Sequence, residues 1–247
     1  MKLHIRKSFL IALIVLLILA LTAGILFLIF PQMPAYFRYR DTVVDETMTD
    51  YPYTLPEVPA DFAERISYGV TIKAPAEHLN PQESRIAPFK SDTLTIGVIC
   101  TEDSVSMEGP DTESGKQFTE ADFRHFYETV GEKAPETQIE SIVFVRDKLT
   151  AKTCLRLRGT DYEIFELLAE SKKIVTDVET PYFYHGSNFD GLICELKGGK
   201  TKGTNVLVSD PVHHQYASVW IRCNDAKLTK QIIAGLDFSG FLAGKTT

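Results

Sequence analysis

The stretch Ser209 to Trp220, SDPVHHQYASVW, sets a serine, an aspartate and two adjacent histidines within six residues. Those side chains are the raw material of two chemistries. A serine activated by an imidazole that a carboxylate orients is a hydrolase triad, and imidazole with carboxylate is a common ligand set for a transition metal. Local physics weighs against both. Asp-Pro initiates turns, and neighbours in one loop rarely reach the geometry that Ser209, a histidine and Asp210 would need. Two adjacent histidines on an extended chain point to opposite faces, which makes His213 and His214 poor co-ligands. The stretch therefore predicts a hairpin loop, with Asp210, His213 and His214 as ligand or pH-sensitive candidates. No residue is assigned to catalysis, to a cofactor or to a metal. A metal-dependent or hydrolytic enzyme using the same three residues is the alternative.

Other chemistry-bearing residues are scattered. His78 and His125 have no partner at metal-site spacing, and Gly198-Gly199 precedes no helix, so it is not a phosphate cradle. Four cysteines allow three disulfide pairings. The strand phases described next place Cys100, Cys194 and Cys223 on apolar faces, where cysteine behaves as a small hydrophobe. Free buried thiols and at least one disulfide both remain open, while the lack of any C-x-x-C or Cys/His spacing disfavours a metal.

The elements that would position these residues follow from periodicity. Tyr68, Val70 and Ile72 alternate in a strand over Ile66–Lys73, and Leu94, Ile96, Val98 and Cys100 do the same in TLTIGVIC. Thr101 to Gln117 reads as a loop. Thr119 and Asp122 open a helix that Gly131 stops. Ser141–Lys148 is a strand or the end of a short helix. Leu149 to Gly159 reads as a short helix capped by Thr150 and ended by Gly159. A second helix starts with a Thr160/Glu163 capping box and shares Ile164, Leu167, Leu168 and Ser171 on one face. The last third is β-rich: Tyr182–Tyr184, the alternation in GLICELK, a Lys197–Lys200 turn, Asn205–Val208 and Tyr216–Cys223, then a helix capped by Asn224. Tyr182 to His185, beside Phe189, could line a groove, though burial is the simpler role. The order predicts an α+β fold, an antiparallel sheet flanked by helices.

Phe9 to Phe30 contains no charge and is long enough to span a bilayer. The run is longer than the apolar part of a signal peptide and lacks a clear cleavage site, so a retained transmembrane helix is expected at 8–30. Lys2, Arg6 and Lys7 make 1–7 a basic tail that belongs in the cytoplasm, which puts the rest outside the cell membrane. Residues 31–63, with five prolines, read as an extended stalk whose Tyr36, Phe37 and Tyr39 sit at headgroup level. Residues 64–240 form the folded domain and 241–247 a flexible tail.

The first 30 residues hold three of the 26 Lys and Arg and none of the 33 Asp and Glu, leaving 23 cations against 33 carboxylates, a net −10. That balance disfavours adhesion to nucleic acid or to anionic lipid headgroups. The expected partners are the membrane, through 8–30, and a protein at the cell surface.

The strand YGVTIKAP (Tyr68 to Pro75) and the closing helix with IIAGLDF (Ile232 to Phe238) resemble the PsbP-like and Ran-binding Mog-type α/β/α sandwiches of exported bacterial proteins. The resemblance covers about Ile66 to Phe238 and implies a non-catalytic binding or assembly role. The helix pair around Thr150 to Lys172 departs from that family. An accessory or sensor subunit of a membrane complex is a third reading.

Overall fold

The computed structural model describes residues 2–41, 43, 47–105, 117–198 and 202–245. In chain order the described elements begin with α1 (Lys2–Ile29), α2 (Met33–Tyr39), β1 (Thr49–Asp50), β2 (Phe62–Ser67), β3 (Val70–Pro75), β4 (Phe89–Lys90) and β5 (Leu94–Glu102). They continue with α3 (Glu120–Val130), α4 (Gln138–Val143), α5 (Gly159–Val178), β6 (Glu179–His185), β7 (Asp190–Leu196), β8 (Gly203–Asp210), β9 (Gln215–Cys223), α6 (Ala226–Ala234) and α7 (Ser239–Leu242). By its own contacts the chain falls into two compact units. One comprises Met1–Asp45, Glu108–Ala134 and Leu149–Ala169; the other comprises Glu46–Met107, Pro135–Lys148 and Glu170–Thr247.

In the first unit α1 contains Ile11–Ile29, 19 residues long and apolar enough to cross a membrane, with none of that span buried in protein. The neighbouring α2 corrects the expectation of an extended stalk. Pro34 falls in its first turn, where a missing N–H costs nothing, and Ala35 and Tyr39, one turn apart, are both buried. The helix α3 forms as its capping box predicts. Thr119 Oγ1 accepts from the Asp122 N–H, the Asp122 carboxylate accepts from the Thr119 N–H at 2.8 Å, and Gly131 closes the helix at φ 79°.

Thr150 stands at the N-cap, its N–H donating to Thr153 Oγ1 at 3.1 Å and its carbonyl accepting from the Thr153 N–H at 3.0 Å, but the turn it opens is a 3-10 helix over Ala151–Arg156. Gly159 begins α5 instead of ending the element before it. The buried face of α5 is also rotated from the expected one: Ile164, Phe165 and Ala169 are buried, and Leu167 is only half so. Phe165 sets that rotation, meeting the Tyr39 ring edge-on at 5.4 Å and stacking on Tyr162 at 6.3 Å.

In the second unit the described strands form a seven-stranded sheet ordered β1-β6-β7-β8-β9-β5-β4, antiparallel except for the parallel pair β1–β6. A separate hairpin pairs β2 with β3. That hairpin overturns the single strand expected over Ile66–Lys73. The chain reverses at Tyr68 and Gly69, both at positive φ (50° and 76°), the backbone of a two-residue hairpin turn. Gly69 is required there twice over, because a Cβ would lie 2.6 Å from the Lys245 carbonyl oxygen.

The alternation of β9 is as predicted, with Ala217, Val219, Ile221 and Cys223 all buried. Those residues join Leu94, Ile96 and Val98 of β5, Val70 and Ile72 of β3, and Ile232, Ile233 and Phe241 in one core cluster. Strand β7 buries both of its faces. Ile193 belongs to that first cluster, whereas Leu192 and Cys194 pack with Leu207, Ile139 and Ile142 in a second.

Ser141–Lys148 is helical throughout: α4 runs on into a π turn over Phe144–Lys148. Thr137 caps α4, and Asp103 Oδ1 accepts from the Gln138 N–H at 2.7 Å. The closing helix is capped by Asp225, not Asn224, with Oδ1 accepting from the N–H groups of Lys227 and Leu228 at 2.8 and 3.0 Å. Asn224 Oδ1 instead accepts from the Lys202 N–H at 2.9 Å. Strand β5 extends to Glu102 into the expected 101–117 loop, of which 106–116 lie outside the described residues, as do Gly199 and Lys200 of the expected turn and residues 246–247 of the tail.

Candidate functional site

The β8–β9 hairpin closes on the pair Asp210↔Gln215, with residues 211–214 in the turn. Asp210 builds that turn. Its Oδ1 accepts from the N–H groups of Val212 and His213 at 3.0 and 3.2 Å, and its Oδ2 lies 2.5 Å from His213 Nδ1. The carboxylate is buried and spends its acceptors inside the loop. His214 adopts φ 51°, and its carbonyl accepts from the Asp103 N–H at 2.8 Å.

Because His214 is left-handed and not extended, the two imidazoles do not take opposite faces. Both line one open cleft of about 510 Å³ with Tyr68, Cys100, Thr101, Glu102 and Gln215. The two histidines thus share a cleft with an acid, Glu102, that lies on the neighbouring strand directly opposite Gln215.

Three features limit what this cleft can do. Ser209 Oγ is buried without a hydrogen-bond partner among the described residues, so no imidazole activates it. The cleft's thiol, Cys100, is only half-buried, contrary to the expectation of a core residue. Its burial nevertheless raises it above the usual thiol range against the opposing pull of Arg85, the reverse of a nucleophilic cysteine. Finally, a Cβ placed on Gly244 would stand 3.2 Å from His213 Nε2, so the C-terminal segment crowds the ring edge that a general base would present. Among the described residues no three His, Cys, Asp or Glu side chains converge as a metal site. All four cysteines are free thiols, and Cys154, Cys194 and Cys223 are buried.

Three further histidines, His78, His125 and His185, have partners of their own. His78 Nδ1 bonds Ser91 Oγ at 2.9 Å, His125 stands 3.6 Å from Asp161, and His185 lies 3.2 Å from Asp190.

A second concavity, a groove of about 420 Å³, runs past Tyr51, Tyr53, Glu195, Lys202, Thr204 and Lys230. Tyr51 follows β1 and meets Tyr53 at 5.3 Å and Tyr182 at 5.7 Å, both edge to face. Its hydroxyl is 3.4 Å from Glu195 Oε1, and burial first, then that carboxylate, pushes its ionisation well above the usual tyrosine range. Lys230 Nζ sits 3.4 Å over the Tyr53 ring, which is 46% exposed. Phe189, by contrast, is buried in the core, with Tyr184 tilted against it at 4.6 Å.

Sequence reasoning missed Tyr51, Tyr53 and Lys230 because they lie in a segment without period and on the polar side of a helix. Glu102 was findable, since it continues the β5 run by two residues beyond Cys100. No protein-family model, curated protein or solved structure matches the chain.

Proposed function

We propose that the chain is a single-pass membrane protein, N-terminus in the cytoplasm, whose helix-flanked sheet outside the membrane binds a protein partner without catalysis. The observation that carries this reading is the aromatic groove. Tyr53 offers an exposed ring, Lys202 and Lys230 bring positive charge, and the Thr229 hydroxyl, whose proton goes to the Asp225 carbonyl at 2.9 Å, keeps lone pairs that can accept from a bound backbone N–H. Aromatic residues and a few placed polar groups are what a recognition surface needs. The span Ile11–Ile29 supports the anchor, and Lys2, Arg6 and Lys7 support its orientation. An assembly role of the kind that the PsbP-like resemblance implies belongs to the same proposal.

The enzyme reading keeps one observation in its favour, the shared cleft of His213, His214 and Glu102. Two measurements on the full chain separate the readings. A photo-crosslinking residue at Tyr53 should trap one discrete partner in intact cells, and Lys230→Glu should abolish the product; no product at Tyr53 ends the binding proposal. If zinc raises the Tm of the wild type but not of a His213→Ala/His214→Ala variant, the histidine cleft is the site instead.

A further inference from the structure

In the first unit a segment far along the chain returns to the end of α1. The Arg158 guanidinium donates to the Leu28 carbonyl at 2.9 Å, a contact between residues 130 positions apart. Arg156 stands 5.7 Å from the centre of the Phe30 ring, and the Cys154 thiol approaches the Gln32 carbonyl at 3.9 Å. Following α1 in the chain, α2 carries Arg38, and Arg40 comes directly after it, with the ring of Phe37 exposed.

Depth follows from helix geometry. At about 1.5 Å per residue, a 19-residue span covers roughly the 30 Å of a hydrocarbon core. Leu28 is the last residue but one of that span, so its carbonyl lies where hydrocarbon gives way to headgroups. A guanidinium bonded to it is held in the headgroup layer. Lys152, Arg156 and Arg158 are all exposed, and among the described residues none has a carboxylate within ion-pair distance. Arg38 and Arg40 do have such neighbours, Glu166 at 3.4 Å and Asp41 at 3.6 Å.

We propose that Lys152, Arg156 and Arg158 form a collar that binds the anionic phospholipid headgroups of the leaflet where α1 ends. The proposal rests on α1 being a membrane span. It gives the outward-facing part of an acidic protein a local attraction to an anionic surface, because charge acts over about a Debye length of 8–10 Å and not through the net total. It also leaves the orientation argument intact, since that rule counts cations in the chain flanking the span.

The test uses the full chain in nanodiscs of phosphatidylcholine alone or with one quarter phosphatidylglycerol, reading amide exchange over 151–158. Each basic group near an anionic surface is worth roughly a fivefold change in binding, so exchange should slow by about fivefold or more with phosphatidylglycerol. Raising the salt to 0.5 M should erase the difference. Arg156→Gln/Arg158→Gln should remove the response and Arg156→Lys/Arg158→Lys should keep it, each read as a ratio within one variant. Equal exchange in both discs overturns the collar alone. Release of the protein from native membranes by alkaline carbonate overturns the span, and the collar with it.

Discussion

Asp210 and His213 form the tightest side-chain pair of the β8–β9 hairpin: Oδ2 to Nδ1 is 2.5 Å, with the carboxylate 3% exposed and the imidazole 40%. The same carboxylate holds two backbone N–H groups of the loop, so its first task is to fold four residues into a turn.

Removing that acceptor should be costly. Asp210→Ala removes the acceptor of two part-buried N–H groups and should lower unfolding free energy by about 1–3 kcal/mol. Asp210→Asn keeps the side-chain oxygen and should lose less than half as much. Denaturant unfolding of both variants checks this; equal losses would mean that the charge facing His213, and not the turn, is what Asp210 supplies.

Thiol reactivity should follow burial. Desolvation pushes the Cys154 thiol up to about 11 and raises Cys194 further, while Cys100 is raised but half-exposed. Iodoacetamide near pH 8 should therefore label Cys100 first and slowly, and reach Cys154, Cys194 and Cys223 only in denaturant. Rapid labelling of native Cys100 would mark it as an activated nucleophile and reopen the enzyme reading.

Glu179 should make stability fall with rising pH. Burial raises its carboxyl above the usual 4.5, and Arg146 pulls it back without reversing the shift. The folded state then holds the proton more tightly than the unfolded chain. The contribution is fully present below the unfolded value and is lost as pH rises through the folded one. Glu179→Gln, which cannot ionise, should gain on the wild type in denaturant unfolding as the pH rises above the ordinary carboxyl value. The opposite slope would mean that Arg146 outweighs desolvation.

Gly97 is a contact position. It pairs with Trp220 across β5 and β9, and a methyl there would overlap the indole ring. Gly97→Ala should cost about 1–3 kcal/mol and shift the emission of Trp220, the sole tryptophan. An unchanged spectrum with unchanged stability would show that the indole can move aside freely.

Local signals were legible where short-range physics decides. The Thr119/Asp122 box, the Gly131 stop, the alternation of β9, the Asp-Pro turn and the charge-free run of α1 each depend on residues within one turn or one strand, so spacing alone determined them. The single strand expected over Ile66–Lys73 failed because Tyr68 tolerates a left-handed turn only with Gly69 packed beneath Lys245 and Phe241. Within the expected stalk, Met33–Tyr39 is helical, and Tyr39 packs against Phe165, far along the chain. Apolar period also could not tell that Ile193 and Cys194 both lie in cores, since a strand buried on two faces loses its alternation. The opposite faces expected of His213 and His214 gave way to one shared cleft through a single positive φ. The sequence by itself determined the membrane-length helix, the Thr119 cap and the hairpin loop, because those energies are local. Only the tertiary structure decided the cleft, the aromatic groove and the arginines beside Leu28, because each joins residues whose separation along the chain carries no periodic signal.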